Sequence, residues 1–214
     1  MSGSCCDVAG HAFDAKFAAR DIRDYRRSGP ARQTAALLKF VRDMKLADAS
    51  LLDVGGGVGV IHHELLADVA REATHVDASA AYLDVARQES ARRGHAPRVR
   101  FVHADFTEIA SELPEADVVT LDRVLCCYPD FHLLLRSAAD RSRRLLAMTY
   151  PRQTWYMRLG LQIVNSFQRL RHDPFRVFLH PVEEMEHLLN HEGLWRVSVQ
   201  RQFVWEVALY SRSS

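Results

Sequence analysis

The chain has 214 residues and a mass of 24.4 kDa, room for one domain with an appended helix or lid. With 48% hydrophobic and 26% charged residues it can build a sizeable core, which excludes a miniprotein stapled by disulfides or metal. The formal charge is +1, from 28 Lys+Arg against 27 Asp+Glu, so no global field draws it to nucleic acid or a membrane surface.

No stretch free of Asp, Glu, Lys and Arg exceeds ten residues, whereas a spanning helix needs roughly twenty apolar ones. Residues 1–14 lack the basic-then-apolar pattern of an export signal. Cysteines fall in two adjacent pairs, Cys5-Cys6 and Cys126-Cys127. Sequence neighbours are badly placed to bridge each other, and neither pair has the spacing of a zinc site. The expectation is a reduced, cytoplasmic protein with no metal and no membrane insertion.

In chain order, Ala12 to Arg27 and Ala31 to Met44 read as helices split by Ser28-Gly29-Pro30. Leu51 to Val54 reads as a first strand, running into Gly55-Gly56-Gly57-Val58-Gly59, with a helix from Val60 to Val69. Thr74 to Val76 is a second strand ended by Asp77. Ser79 then caps a helix through Arg93 that Gly94 closes. Arg98 to His103, Asp117 to Leu121 and Arg144 to Met148 are further strands, with a helix at Phe131 to Ala139. Gln153 to Leu170 carries Trp155, Leu159, Ile163 and Phe167 at spacing four, the stripe of an amphipathic helix. Trp195 to Tyr210 alternates apolar and polar positions, as two strands of a closing hairpin broken near Arg201-Gln202 do. His62-His63 and His187-x-x-x-His191 have spacings that metals use, but each pair is read as lying on a solvated helix face.

Alternating strands and helices argue for an α/β fold, a parallel sheet covered on both faces. In such a sheet the carboxyl ends of the strands share one edge, where ligands bind. Asp53, Asp77, Asp105 and Asp122 each stand close to such an end.

The glycine loop admits three readings. A phosphate-binding P-loop needs Gly-Lys-Ser/Thr, which Gly59-Val60-Ile61 lacks; the dinucleotide fingerprint needs glycine at 60, where Val60 sits. The third, D-x-G-x-G-x-G, is satisfied by Asp53, Gly55, Gly57 and Gly59. That pattern resembles the first motif of the class I, Rossmann-like S-adenosylmethionine-dependent methyltransferases. The resemblance continues through Asp77, Ala104-Asp105-Phe106, Ala116-Asp117-Val118-Val119 and Asp122.

It implies a seven-stranded, mostly parallel sheet with an antiparallel last strand. It also implies an N-terminal helical cap over residues 1–45, a methyltransferase domain over 46–214 and a helical insertion at about 152–180. The cofactor implied is S-adenosylmethionine. Asp53, the loop Gly55, Gly56, Gly57 and Gly59, together with Asp122 and Arg123, would serve its methionine end. Asp77 with Ala78 would serve the ribose, and Asp105 with Phe106 the adenine.

A closer resemblance is to the magnesium-protoporphyrin O-methyltransferase group and its small-molecule relatives. It rests on Asp122 to Tyr128, Thr149-Tyr150-Pro151-Arg152 and Phe175-Arg176 to His180-Pro181, with Phe13 to Tyr25 in the place of lid helices. That group is thought to use a lid tyrosine and a histidine; Tyr25 matches the first, while Cys126-Cys127 stand where the histidine is expected. Tyr25, Tyr128 and His180 are the candidate bases.

From Arg141 to Arg176 eight arginines face one acid, Asp173, a local balance of +7. Arginine forks suit carboxylate or phosphate, and Arg152 and Arg176, beside aromatic residues, are assigned to an acidic group of the substrate. The reading is a methyltransferase acting on an oxygen or nitrogen of a small molecule. The alternatives are a nucleic-acid methyltransferase using the arginine strip, for which the Asp/Asn-Pro-Pro-Tyr/Phe motif of base amino methylation is missing, and a non-catalytic cofactor-binding module.

Overall fold

The computed structural model describes residues 13–171 and 175–213. Cys5-Cys6, Asp173 and the start of the N-terminal cap lie outside them. One sheet of seven strands organises the molecule: β1 Ala49–Val54, β2 Ala70–Asp77, β3 Val99–His103, β4 Ala116–Asp122, β5 Ser142–Pro151, β6 Leu194–Arg201 and β7 Trp205–Arg212, in spatial order β3-β2-β1-β4-β5-β7-β6. The first five strands pair in parallel, and β7 runs antiparallel between β5 and β6. This is the Rossmann-like arrangement that the resemblance implies.

Eight helices accompany the sheet among the described residues: α1 Ala15–Ser28, α2 Arg32–Asp43, α3 Val60–Leu65, α4 Ala80–Arg93, α5 Phe106–Ile109, α6 Phe131–Arg141, α7 Trp155–Leu170 and α8 Val182–His191. Successive residues of the central strands pack into opposite layers. Val118 and Leu145 join Leu37, Leu38 and Val41 of α2 and Ile61 and Leu65 of α3 on one face. Val119 and Leu146 join Leu134 and Leu135 of α6 and Leu188 and Leu189 of α8 on the other. A strand buried on both faces loses the polar alternation of a half-exposed one, which is why these runs read as continuously apolar.

Helix ends follow side-chain chemistry. Asp14 caps α1 by accepting from the N–H groups of Lys16 and Phe17, a contact that contributes about 1 kcal/mol. Gly29, with φ +73°, ends it. Ser79 caps α4 as expected, and Gly94, φ +74°, closes it.

Three boundaries differ from expectation. β2 starts at Ala70 rather than Thr74, because it pairs along all of β1; exposed Arg71 and Glu72 hide that stretch from an apolar pattern. β5 extends to ten residues because β4 and β7 hold it on both sides. α3 stops at Leu65, since the chain must turn at once into the longer β2. No described helix is long and apolar enough to cross a membrane.

Candidate cofactor site

β1 ends at Val54 and hands the chain to the glycine loop. Gly55, Gly57 and Gly59 have φ of +60°, +56° and +87°, a backbone region that a Cβ disfavours. Gly55 donates its N–H to the carbonyl of Val76 at 2.8 Å, tying the loop to β2. A Cβ at Gly55 would stand 2.5 Å from Cγ2 of Val124. Asp77, the last residue of β2, accepts from the N–H of Gly57 at 2.9 Å and of Ser79 at 2.8 Å, one on each oxygen. Burial pushes its carboxyl up to about 6 against the pull of those two N–H groups. Each oxygen keeps a second lone-pair direction for a vicinal diol.

The next acids occupy the neighbouring strand ends. Asp105 follows β3 and caps α5; its Oδ1 accepts from the N–H and hydroxyl of Thr107 and from the hydroxyl of Tyr128. Asp122 ends β4, with Oδ1 accepting from Thr149 and Oδ2 from Thr34, both at 2.6 Å. Arg123 adopts φ +62° and donates its N–H to Thr149 at 2.8 Å. Its guanidinium is half-exposed, 3.8 Å from Asp122. Ala78 offers its carbonyl to His103 at 3.1 Å, and Phe106 is buried in the core. Asp77, Asp105 and Asp122 thus stand with the loop on four adjacent strands, β3-β2-β1-β4.

Asp53 departs from the expected role. One residue short of the strand end, it is 1% exposed beneath the loop rather than facing a ligand at the rim. Its Oδ1 accepts from Thr120, its register partner on β4, at 2.9 Å. Its Oδ2 faces His62 and His75, and burial raises the carboxyl to about 6.

His62 and His63 also correct the sequence reading. They are 0% and 1% exposed, not solvated, and burial holds the His62 imidazole down at about 3. The short α3 turns both rings under the loop; a Cβ on Gly59 would stand 2.4 Å from Cε1 of His62.

The N-terminal helix α1 latches across the loop. Tyr82 of α4 donates to Asp21 at 2.6 Å, Arg26 donates to Glu89 at 2.7 Å, and Ser79 donates to the carbonyl of Phe13 at 2.7 Å. Tyr25 is buried and donates to Glu64 at 2.8 Å. Burial and that acceptor raise its pKa far above the ordinary value, and the contact fastens α1 to α3. Asp21, Arg26, Tyr82 and Glu89 escaped the sequence reading because their pairing joins helices distant in the chain.

A second roof comes from residues 175–181 over the turn after β4. Phe178 donates its N–H to the carbonyl of Cys126 at 2.8 Å. Nε2 of His180 lies 2.9 Å from two carbonyls, those of Leu125 and Tyr128. Two acceptors require Nε2 to carry the hydrogen, so His180 pins the turn and that nitrogen accepts no proton. Tyr128 binds Asp105 and Thr107 through its hydroxyl. Cys126 and Cys127 both direct their thiols at the carbonyl of Arg123 and remain reduced. Phe13 meets Phe175 edge-on at 5.3 Å, joining the two roofs.

Arg152 donates to the carbonyl of Gln202 at 3.1 Å and Arg176 to that of Phe175 at 2.6 Å. The arginine strip is not continuous. Arg143 and Arg144 open β5 and Arg152 follows its far end, so the sheet separates them. Helix α7 leaves Trp155, Leu159, Ile163 and Phe167 exposed.

The site fits an adenosyl ligand that ends in an amino acid: left-handed glycines without a Cβ let a ligand approach the loop backbone closely, and three carboxylates flank them on neighbouring strands. Residues 51–147 match the family described as a methyltransferase domain. Its sequence matches no curated protein. Among solved structures the chain is similar to magnesium protoporphyrin IX methyltransferase of Synechocystis PCC 6803 with bound SAH, at 18% identity and TM-score 0.74, covering 98% of this chain and 100% of that one. It is similar to a methyltransferase in complex with the Trm112 activator of Haloferax volcanii, at 17% identity and TM-score 0.70 over 96% and 98% of the two chains. An O-methyltransferase family protein of Burkholderia thailandensis matches at 17% identity and TM-score 0.67, over 95% of this chain and 64% of that one. Residues 51–147 thus match a methyltransferase domain, and the sheet that carries them has the class I, S-adenosylmethionine-dependent methyltransferase fold.

Proposed function

We propose that the enzyme methylates an oxygen of a small molecule that reaches the site already ionised, a carboxylate above all. One observation carries this reading: the two nominated tyrosines donate their hydroxyls to carboxylates, and the hydrogen of His180 is fixed on Nε2, which leaves only its Nδ1 as an acceptor. Tyr25 donates to Glu64, Tyr128 to Asp105, and Nε2 of His180 to two carbonyls. A nucleophile that needs no deprotonation leaves the protein to align it at about 3 Å and exclude water.

When bound, the cofactor supplies an electrophilic methyl group on a sulfonium. Asp77 and Ala78 hold its ribose, Asp105 its adenine amine, and the glycine loop with Asp122 and Arg123 its methionine end. Asp53 supports the loop from below. The exposed stripe of α7 receives the apolar body of the acceptor. Arg152 uses one of its five N–H groups on Gln202, and its fork, with Arg176, orients the acidic group.

The test is methyl transfer from labelled cofactor to a panel of aromatic and aliphatic carboxylic acids, phenols and amines. A methyl ester releases its label as volatile methanol in mild alkali, whereas methylated phenols and amines do not. Alkali-labile product is expected. Alkali-stable product from every accepted substrate overturns the assignment.

A further inference from the structure

We propose that Asp53, His62 and His75 bind one divalent first-row transition-metal ion beneath the glycine loop. The three side chains come from β1, α3 and β2, and all are buried. Nδ1 of His62 lies 3.0 Å from Nδ1 of His75, and Oδ2 of Asp53 lies 3.4 Å and 3.8 Å from those two nitrogens. The centre of that triangle is about 2.0 Å from each corner, the length of a zinc–nitrogen or zinc–oxygen bond.

Hydrogen bonding explains the arrangement poorly. A neutral imidazole has one N–H, and Nε2 of His75 is buried without a partner, so the ring owes its orientation to its Nδ1 end. There two ring nitrogens and a carboxylate oxygen converge. Only one of the three separations, His62 to His75, has the length of a good hydrogen bond.

The surroundings are those of metal ligands. The other oxygen of Asp53 accepts from Thr120 at 2.9 Å, and Nε2 of His62 lies 3.4 Å from the hydroxyl of Ser90. Outer partners of this kind fix the orientation of ligating side chains. Gly56, which the D-x-G-x-G-x-G pattern leaves unspecified, covers the triad. A Cβ there would stand 2.6 Å from Oδ2 of Asp53 and 2.7 Å from Nδ1 of His75. Two imidazoles and one carboxylate suit zinc, cobalt, nickel or ferrous iron, not magnesium or calcium. The ion would tie β1, α3 and β2 together under the loop.

The 214-residue chain is stripped by a chelator in denaturant, refolded with cobalt or zinc, and freed of excess ion. Metal analysis is expected to find about one ion per chain. Asp53→Asn and His75→Gln should each lower that at least tenfold, while His95→Gln, outside the triad, should leave it unchanged. X-ray absorption of the zinc-loaded wild type, which needs no variant, should show nitrogen and oxygen neighbours with no sulfur. Less than a tenth of an ion per wild-type chain, a sulfur-ligated ion, or full loading of folded His75→Gln overturns the proposal. Metal content is read without an acceptor, so its failure would leave the methyl-transfer reading intact.

Discussion

The N–H of Gly57 donates to Oδ2 of Asp77 at 2.9 Å, so one carboxylate both shapes the glycine loop and ends the second strand. Burial raises that carboxyl to about 6. A diol needs the ionised form as acceptor, so cofactor affinity is expected to fall about tenfold per pH unit below 6. Titration calorimetry from pH 5 to 7.5 checks this, and Asp77→Ala should abolish binding. The sign for stability is opposite: between its unfolded value near 3.9 and about 6, the folded state holds the proton more tightly. Asp77's contribution therefore declines as pH rises through that window.

Gly56→Ala places a Cβ 2.6 Å from both Asp53 and His75. Overpacking of this kind costs about 1–3 kcal/mol, which at about 2–4 °C per kcal/mol is readable by calorimetry. Gly160→Ala is the contrast. It lies within exposed α7 with nothing within 4 Å of its Cβ, and should stabilise by about 0.5–1 kcal/mol.

Glu89 has no exposed side-chain surface and receives Arg26, Arg92 and Arg93. Arg92 and its fellow guanidinium groups hold its carboxyl well below the usual range. Its stabilisation is present above the unfolded value near 4.3 and is lost as pH falls. Glu89→Gln should cost about 2 kcal/mol and loosen α1. Limited proteolysis would then cleave the N-terminal segment faster, with the sheet intact.

Tyr128→Phe removes a hydroxyl from Asp105. A lost bond to a charged group costs about 1.5 kcal/mol, so cofactor Kd should rise about tenfold. Turnover at saturating cofactor should hold, whereas loss of a catalytic base lowers it a hundredfold or more.

Much of the rim was legible because its chemistry is local. Gly55, Gly57 and Gly59 follow a strand run directly, and Asp77, Asp105 and Asp122 stand where such runs stop. Asp53 belongs to the same pattern, yet one step inside the strand its side chain turns into the layer beneath. His62 and His63 looked like a wet helix face because three apolar neighbours, Ile61, Leu65 and Leu66, are too few to set a period. Their burial is decided by how steeply α3 descends onto β2. The latch between α1 and α4 has no short-range signal at all, since Arg26 and Glu89 are 63 positions apart.

The placement of β7 has a consequence for synthesis. It lies between β5 and β6, although it is the last strand to be made. While the ribosome is still translating, one edge of β5 has unpaired N–H and carbonyl groups until residues 205–212 emerge. Such an edge templates pairing with other chains, so nascent polypeptides stalled before Trp205 should be the aggregating species and the natural clients of a chaperone.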